Sequence, residues 1–155
     1  MTRSRKLRRF GRDERAAVTI EFVLAIPLFL SVLAFSFEFG RLFLAHQSTV
    51  NNVRAATRYI TRVETETGSQ RSDARTAADN LVRTGNVNGG IAPDYLNGTN
   101  ATVNVNIPDP DDSDQVSITV RVNFPLAIFN FTDTDDNAPA AIPFVIQERA
   151  RHVGM

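Results

Sequence analysis

Residues 16–39 read AAVTIEFVLAIPLFLSVLAFSFEF, two dozen residues whose only ionisable side chains are Glu21 and Glu38. At about 1.5 Å per residue such a helix is roughly 36 Å long, enough to cross a hydrocarbon core of about 30 Å. At about 100° per residue, Phe22 and Phe29 share a face while Phe35 lies nearly opposite, so the segment is apolar all round, as lipid exposure requires. A helix in a soluble core is the competing reading. The composition of this first third of a 155-residue chain is too polarised for an ordinary soluble core.

Arg3, Arg5, Lys6, Arg8, Arg9, Arg12 and Arg15 precede the apolar run, against only Asp13 and Glu14. Formal net charge is +0, so the rest of the chain is acidic by the amount that the first 15 residues are basic. Positive charge directly before a spanning segment holds that flank in the cytoplasm and sends the other flank across the membrane. The same position speaks against a nucleic-acid-binding arm. A secretory signal peptide would have a shorter apolar region followed by a small-residue cleavage site; Glu38, Gly40 and Arg41 offer none. There is no cysteine, so disulfides and thiolate metal sites are excluded. Six of the 11 Phe lie between residues 22 and 43, which marks an anchor and not an aromatic ligand box.

Glu21 and Glu38 are 17 residues apart, about 25 Å along a helix, so each can sit near an opposite interface. Arg41, at i+3, can pair with Glu38 at the outer surface. Glu21 has no cation at i+3 or i+4. A carboxylate at membrane depth costs up to about 3 kcal/mol and is a functional candidate unless it snorkels to the headgroups. Pro27 cannot donate to the carbonyl of Val23 and is expected to bend or loosen the helix there.

A short basic leader, a small residue and then an apolar helix with Glu at its fifth position form the pattern of type IV prepilin-like proteins. Over residues 10–62 the sequence more closely resembles the TadE-like family of minor pseudopilins, which serve the tight-adherence system that builds Flp pili. Glu21-Phe22, Pro27, the Glu38-Phe39-Gly40-Arg41 block and the run Arg54-Ala55-Ala56-Thr57-Arg58 carry the resemblance. It implies cutting between Ala16 and Ala17 by a prepilin peptidase, with Ala16 standing where the family usually has glycine. It further implies methylation of the new N-terminus at Ala17 and pairing of Glu21 with the N-terminal amine of a neighbouring subunit. Its expected partners are the prepilin peptidase, other pilin or pseudopilin subunits, the inner-membrane pilus assembly machinery and membrane lipid. The expected location is a bacterial inner membrane, with the N-terminus cytoplasmic and the C-terminal domain periplasmic or otherwise extracytoplasmic.

Beyond Gly40 the helical spacing continues through Phe43, His46, Val50, Val53, Thr57, Ile60 and Val63, with Arg54, Arg58 and Arg62 stacked at i+4 on another face. Residues 64–70 read as a turn. A second helix is predicted over 71–84, with Ala74, Ala77, Ala78, Leu81 and Val82 on one side and Gly85 as its stop. Strict alternation places Val103, Val105 and Ile107 inward on one strand, and Val116, Ile118, Val120, Val122 and Phe124 inward on the next. The two pair across an acidic loop, and AIPFVIQERAR (141–151) supplies a third strand. The fold class is therefore α+β: a transmembrane helix continuing into an amphipathic stalk, packed on a small pilin-like antiparallel sheet of three or four strands. The expected division is a basic cytoplasmic leader at 1–16, the transmembrane helix at 17–39, the stalk at 40–63 and a small extracytoplasmic domain at 64–155.

Two acidic loops invite a calcium reading. Asp109, Asp111, Asp112 and Asp114 cluster, and Asp133, Asp135 and Asn137 open like an EF-hand loop, but Ala138 and Phe144 stand where its glycine and bidentate glutamate belong. His46 and His152 are too far apart along the chain to suggest a metal pair, and neither a Ser-His-Asp set nor a glycine-rich phosphate loop is present. No metal, cofactor or enzymatic activity is expected. Two functions remain in view: a minor pseudopilin acting in pilus assembly or its initiation, and an uncleaved membrane-tethered binding or scaffold module.

Overall fold

The computed structural model describes residues 7–63, 65–108, 115–128 and 141–151, with side chains from Ala17 onward. Its first element, α1, is a helix of 54 residues over Leu7–Ile60. The chain divides into two compact units, residues 1–40 and 41–155, and α1 supplies the described part of the first and the opening of the second.

In the first unit every large apolar side chain named from Val18 to Phe39 is exposed, among them Leu24, Phe29 and Phe39 at 70%, 77% and 71%. The helix assignment is unbroken through Pro27. The ring removes one backbone donor. One turn later the Ser31 hydroxyl donates to the Pro27 carbonyl at 2.8 Å, and Ser36 does the same to Val32 at 2.8 Å. These hydroxyls satisfy themselves within the helix, so neither presents an unpaired polar group to an apolar surrounding.

The second unit holds the end of α1, then α2 (Gly68–Thr84), a single 3-10 turn at Asp94–Leu96, and strands β1 (Ala101–Asn106), β2 (Gln115–Pro125) and β3 (Ala141–Arg151). The start of α2 differs from the sequence reading by three residues. Thr67 is its N-cap and accepts from the Gln70 N–H, while the Gln70 side chain accepts from the Thr67 N–H, a reciprocal capping box. The T-x-x-Q signal lies inside the stretch read as a turn. The helix stops at Gly85, whose φ of 72° is left-handed and whose N–H bonds to the Leu81 carbonyl at 2.9 Å.

The three strands form one antiparallel sheet in the order β1-β2-β3. Val103 sits opposite Val120, and Val120 opposite Ile146, so the inward residues form rows across all three strands. Every inward residue expected on β2 (Val116, Ile118, Val120, Val122 and Phe124) is buried, because a central strand with one face on the core buries each second side chain. On the helices this core is completed by Val53, Ala56 and Ile60 of α1 and Ala74, Ala78, Leu81 and Val82 of α2.

The buried face of α1 corrects the stripe expected for the stalk. Val53, Thr57 and Ile60 are buried as anticipated, but Phe43 and His46 are exposed, and Ala45, Thr49 and Ala56 are buried instead. Small side chains let backbone elements approach closely, and hydropathy alone gives Ala and Thr too little weight against Phe. Thr49 and Thr57 are buried without penalty because each hydroxyl donates to the carbonyl four residues back, at 2.8 and 2.9 Å. Polar clamps tie the connections down. Asn52 Nδ2 donates to the Val82 carbonyl at 3.1 Å, and Arg83 is fixed by Asp79 at 3.0 Å while donating to the Leu96 carbonyl at 2.6 Å.

Candidate functional site

The peptide bond between Ala16 and Ala17 lies within the helical backbone of α1. Glu21 follows one turn later with an exposed side chain, flanked by the exposed Ile20, Phe22 and Val23. Among the described residues Glu21 makes no ion pair or side-chain hydrogen bond. The nearest same-face positions, Ala17, Val18, Leu24 and Ala25, offer no cation. The arrangement is a carboxylate displayed on an otherwise apolar cylinder. Inside a low-dielectric setting such a carboxylate is stable only when paired with a cation.

Glu38 stands at the other end of the apolar run. Its side chain is buried, at 4% exposure, not displayed at a surface. Arg41 is half-buried, and its guanidinium lies over the Phe124 ring with 5.2 Å to the centroid. Tyr95, from the 3-10 turn, meets the same ring at 5.8 Å in a tilted contact. Arg41 thus engages the end of β2 through a cation–π contact. Sequence reasoning missed this contact because residues 41, 95 and 124 are far apart along the chain. Only the packing of α1 and the 3-10 turn against the end of β2 brings them together.

His46 is exposed and meets Phe144 of β3 edge-on, with ring centroids 5.4 Å apart, and no metal-ligating cluster is found among the described residues. The acidic residues considered for calcium, Asp109, Asp111, Asp112, Asp114, Asp133, Asp135 and Asn137, lie outside the described residues, as does His152. Arg54, Arg58 and Arg62 are all exposed, in keeping with the polar face expected for this part of α1.

Fold and site together define a class: an α+β protein with one long apolar N-terminal helix suited to be a membrane anchor, which carries an exposed glutamate, Glu21, near the start of its apolar run. Within that class, residues 16–58 match the family model described as TadE-like protein, over the segment that carries the resemblance. The match points to a protein associated with the Tad pilus. It ends inside α1, so α2 and the sheet lie beyond it. No curated protein and no solved structure matches the chain.

Proposed function

We propose that this protein is a minor pilin or pseudopilin of the tight-adherence pilus system, anchored by α1 and acting in pilus assembly or its initiation. The observation that carries this reading is Glu21, exposed on an all-round apolar helix four residues beyond Ala17. Cleavage before Ala17 would create an ammonium group about 6 Å from Glu21 along the helix axis. A carboxylate and an amine at that offset neutralise one another when two such helices pack in register or with a small stagger. The basic flank orients the N-terminus to the cytoplasm and the C-terminal unit to the opposite side. The prepilin peptidase, other pilin-type subunits and the inner-membrane assembly machinery are the partners of this reading, and it includes no catalysis, cofactor or metal.

A second reading, an uncleaved membrane-tethered scaffold module, is favoured by one observation: Ala16 occupies the position where the resembled family usually has glycine. Intact mass spectrometry of the protein from native membranes separates the two. Loss of residues 1–16 supports the pilin reading, and an intact N-terminus in piliated cells refutes it.

A further inference from the structure

Two ring contacts fix how the sheet lies along α1 within the second unit. Arg41 is level with Phe124, and His46 is level with Phe144. Phe124 pairs with Ile142 in the sheet, so the step from Arg41 to His46 on the helix accompanies the step from Ile142 to Phe144 on β3. Five helical residues rise about 7.5 Å and two strand residues about 6.6 Å, so the two steps agree in length. Strands β2 and β3 therefore run along α1, and the end at which they join, Pro125 opposite Ala141, lies at the Arg41 end of the unit. That is where the chain enters this unit from its apolar run.

This end is also where apolar side chains gather at the surface. Phe43, Leu44, Ile128 and Ile142 are exposed at 58%, 69%, 46% and 37%. Pro125 and Leu126 are half-buried beside them. The outward face of the sheet is mostly polar: Thr102, Asn104, Asn106, Arg121, Asn123, Gln147 and Arg149 are exposed there, and its exposed apolar residues Ala141, Pro143 and Val145 all lie on the half of β3 nearest the Pro125–Ala141 end. Ile91 is also exposed, but singly, as is ordinary for a protein surface.

We propose that the Arg41 end of the second unit, formed by Phe43, Leu44, Pro125, Leu126, Ile128 and Ile142, rests in the headgroup and upper acyl region of the bilayer as a second membrane contact. The proposal rests on the membrane-anchor reading of α1 and not on a role in pilus assembly. Three features favour lipid over a protein partner. The apolar run of two dozen residues is, at about 36 Å, longer than a hydrocarbon core of about 30 Å, so its end emerges at the interface. Exposed apolar character continues past it into Phe43 and Leu44. Arg41 and Tyr95, gathered around Phe124, are the residue types that place an apolar body in lipid and a polar tip among phosphates.

Because the chain has no cysteine, single-cysteine labelling tests this cleanly. The full chain carrying Ile128→Cys, Asn104→Cys or Phe29→Cys would be labelled with an environment-sensitive fluorophore. Each variant would then be reconstituted into phosphatidylcholine and phosphatidylglycerol vesicles with or without lipid bearing a nitroxide near the headgroup or deep in the chain. The expected result is headgroup-level quenching several-fold stronger at position 128 than at 104, with deep quenching strongest at 29. Equal quenching at 128 and 104 overturns the proposal. A blue-shifted but unquenched label at 128 also overturns it, by showing a protein neighbour there. Absence of quenching at 29 removes the anchor reading itself, and the proposal with it, so the two failures are distinct.

Discussion

Replacing Glu21 with alanine is expected to leave the protein inserted in the membrane while abolishing its assembly with other pilin-type subunits. Insertion survives because the segment becomes more apolar, removing a group that costs up to about 3 kcal/mol at membrane depth. Assembly fails for a reason that can be sized. Glu21 stands four residues beyond Ala17 on a helix whose neighbouring side chains are apolar, so no other carboxylate can replace it against the amine of an adjacent subunit. Removing one partner of a buried ion pair costs about 3–5 kcal/mol, because the other charge is left desolvated. At about 1.4 kcal/mol per factor of ten, subunit association weakens from roughly a hundred-fold to several thousand-fold. Glu21→Asp keeps the charge but shortens its reach by one methylene, and partial assembly is expected. Glu38 is an unsuitable control because its side chain is buried. Ser36→Ala serves instead: that residue is exposed, and its hydroxyl bonds only to its own helix. The assay is site-specific crosslinking and co-purification from native membranes, alongside counts of pili by electron microscopy. Normal pili and undiminished crosslinks with Glu21→Ala would refute the pairing role and leave Glu21 as a residue that snorkels to the headgroups.

Two further outcomes test the fold and the orientation. Thr67→Ala removes the reciprocal capping box of α2 and is expected to destabilise the C-terminal unit by about 1 kcal/mol, lowering its melting temperature by several degrees in circular dichroism of the detergent-solubilised protein; an unchanged melting temperature would show that α2 is held by its buried face alone. An alkaline-phosphatase fusion to the C-terminal end is expected to be active and a cytoplasmic reporter at the same point inactive, as the charge asymmetry of the first 15 residues requires; the reverse pattern would overturn the orientation and every assembly role that depends on it.

What the sequence determined by itself are the features set by local periodicity and by solvent. Lipid and water impose their demands residue by residue, so the apolar run at 16–39, Glu21 near its start and the α+β succession were all legible without coordinates. The alternation on β2 was equally plain, since a strand with one face on the core must repeat every second residue, and each expected inward residue from Val116 to Phe124 is buried. The tertiary structure alone decided which face of α1 enters the core. Helical spacing placed Phe43 and His46 on the inward stripe, but the structure buries Ala45, Thr49 and Ala56 instead, a choice visible only once the neighbours are in place. It also decided that Arg41 lies over Phe124, because a cation–π contact depends on chain segments that no local pattern brings together.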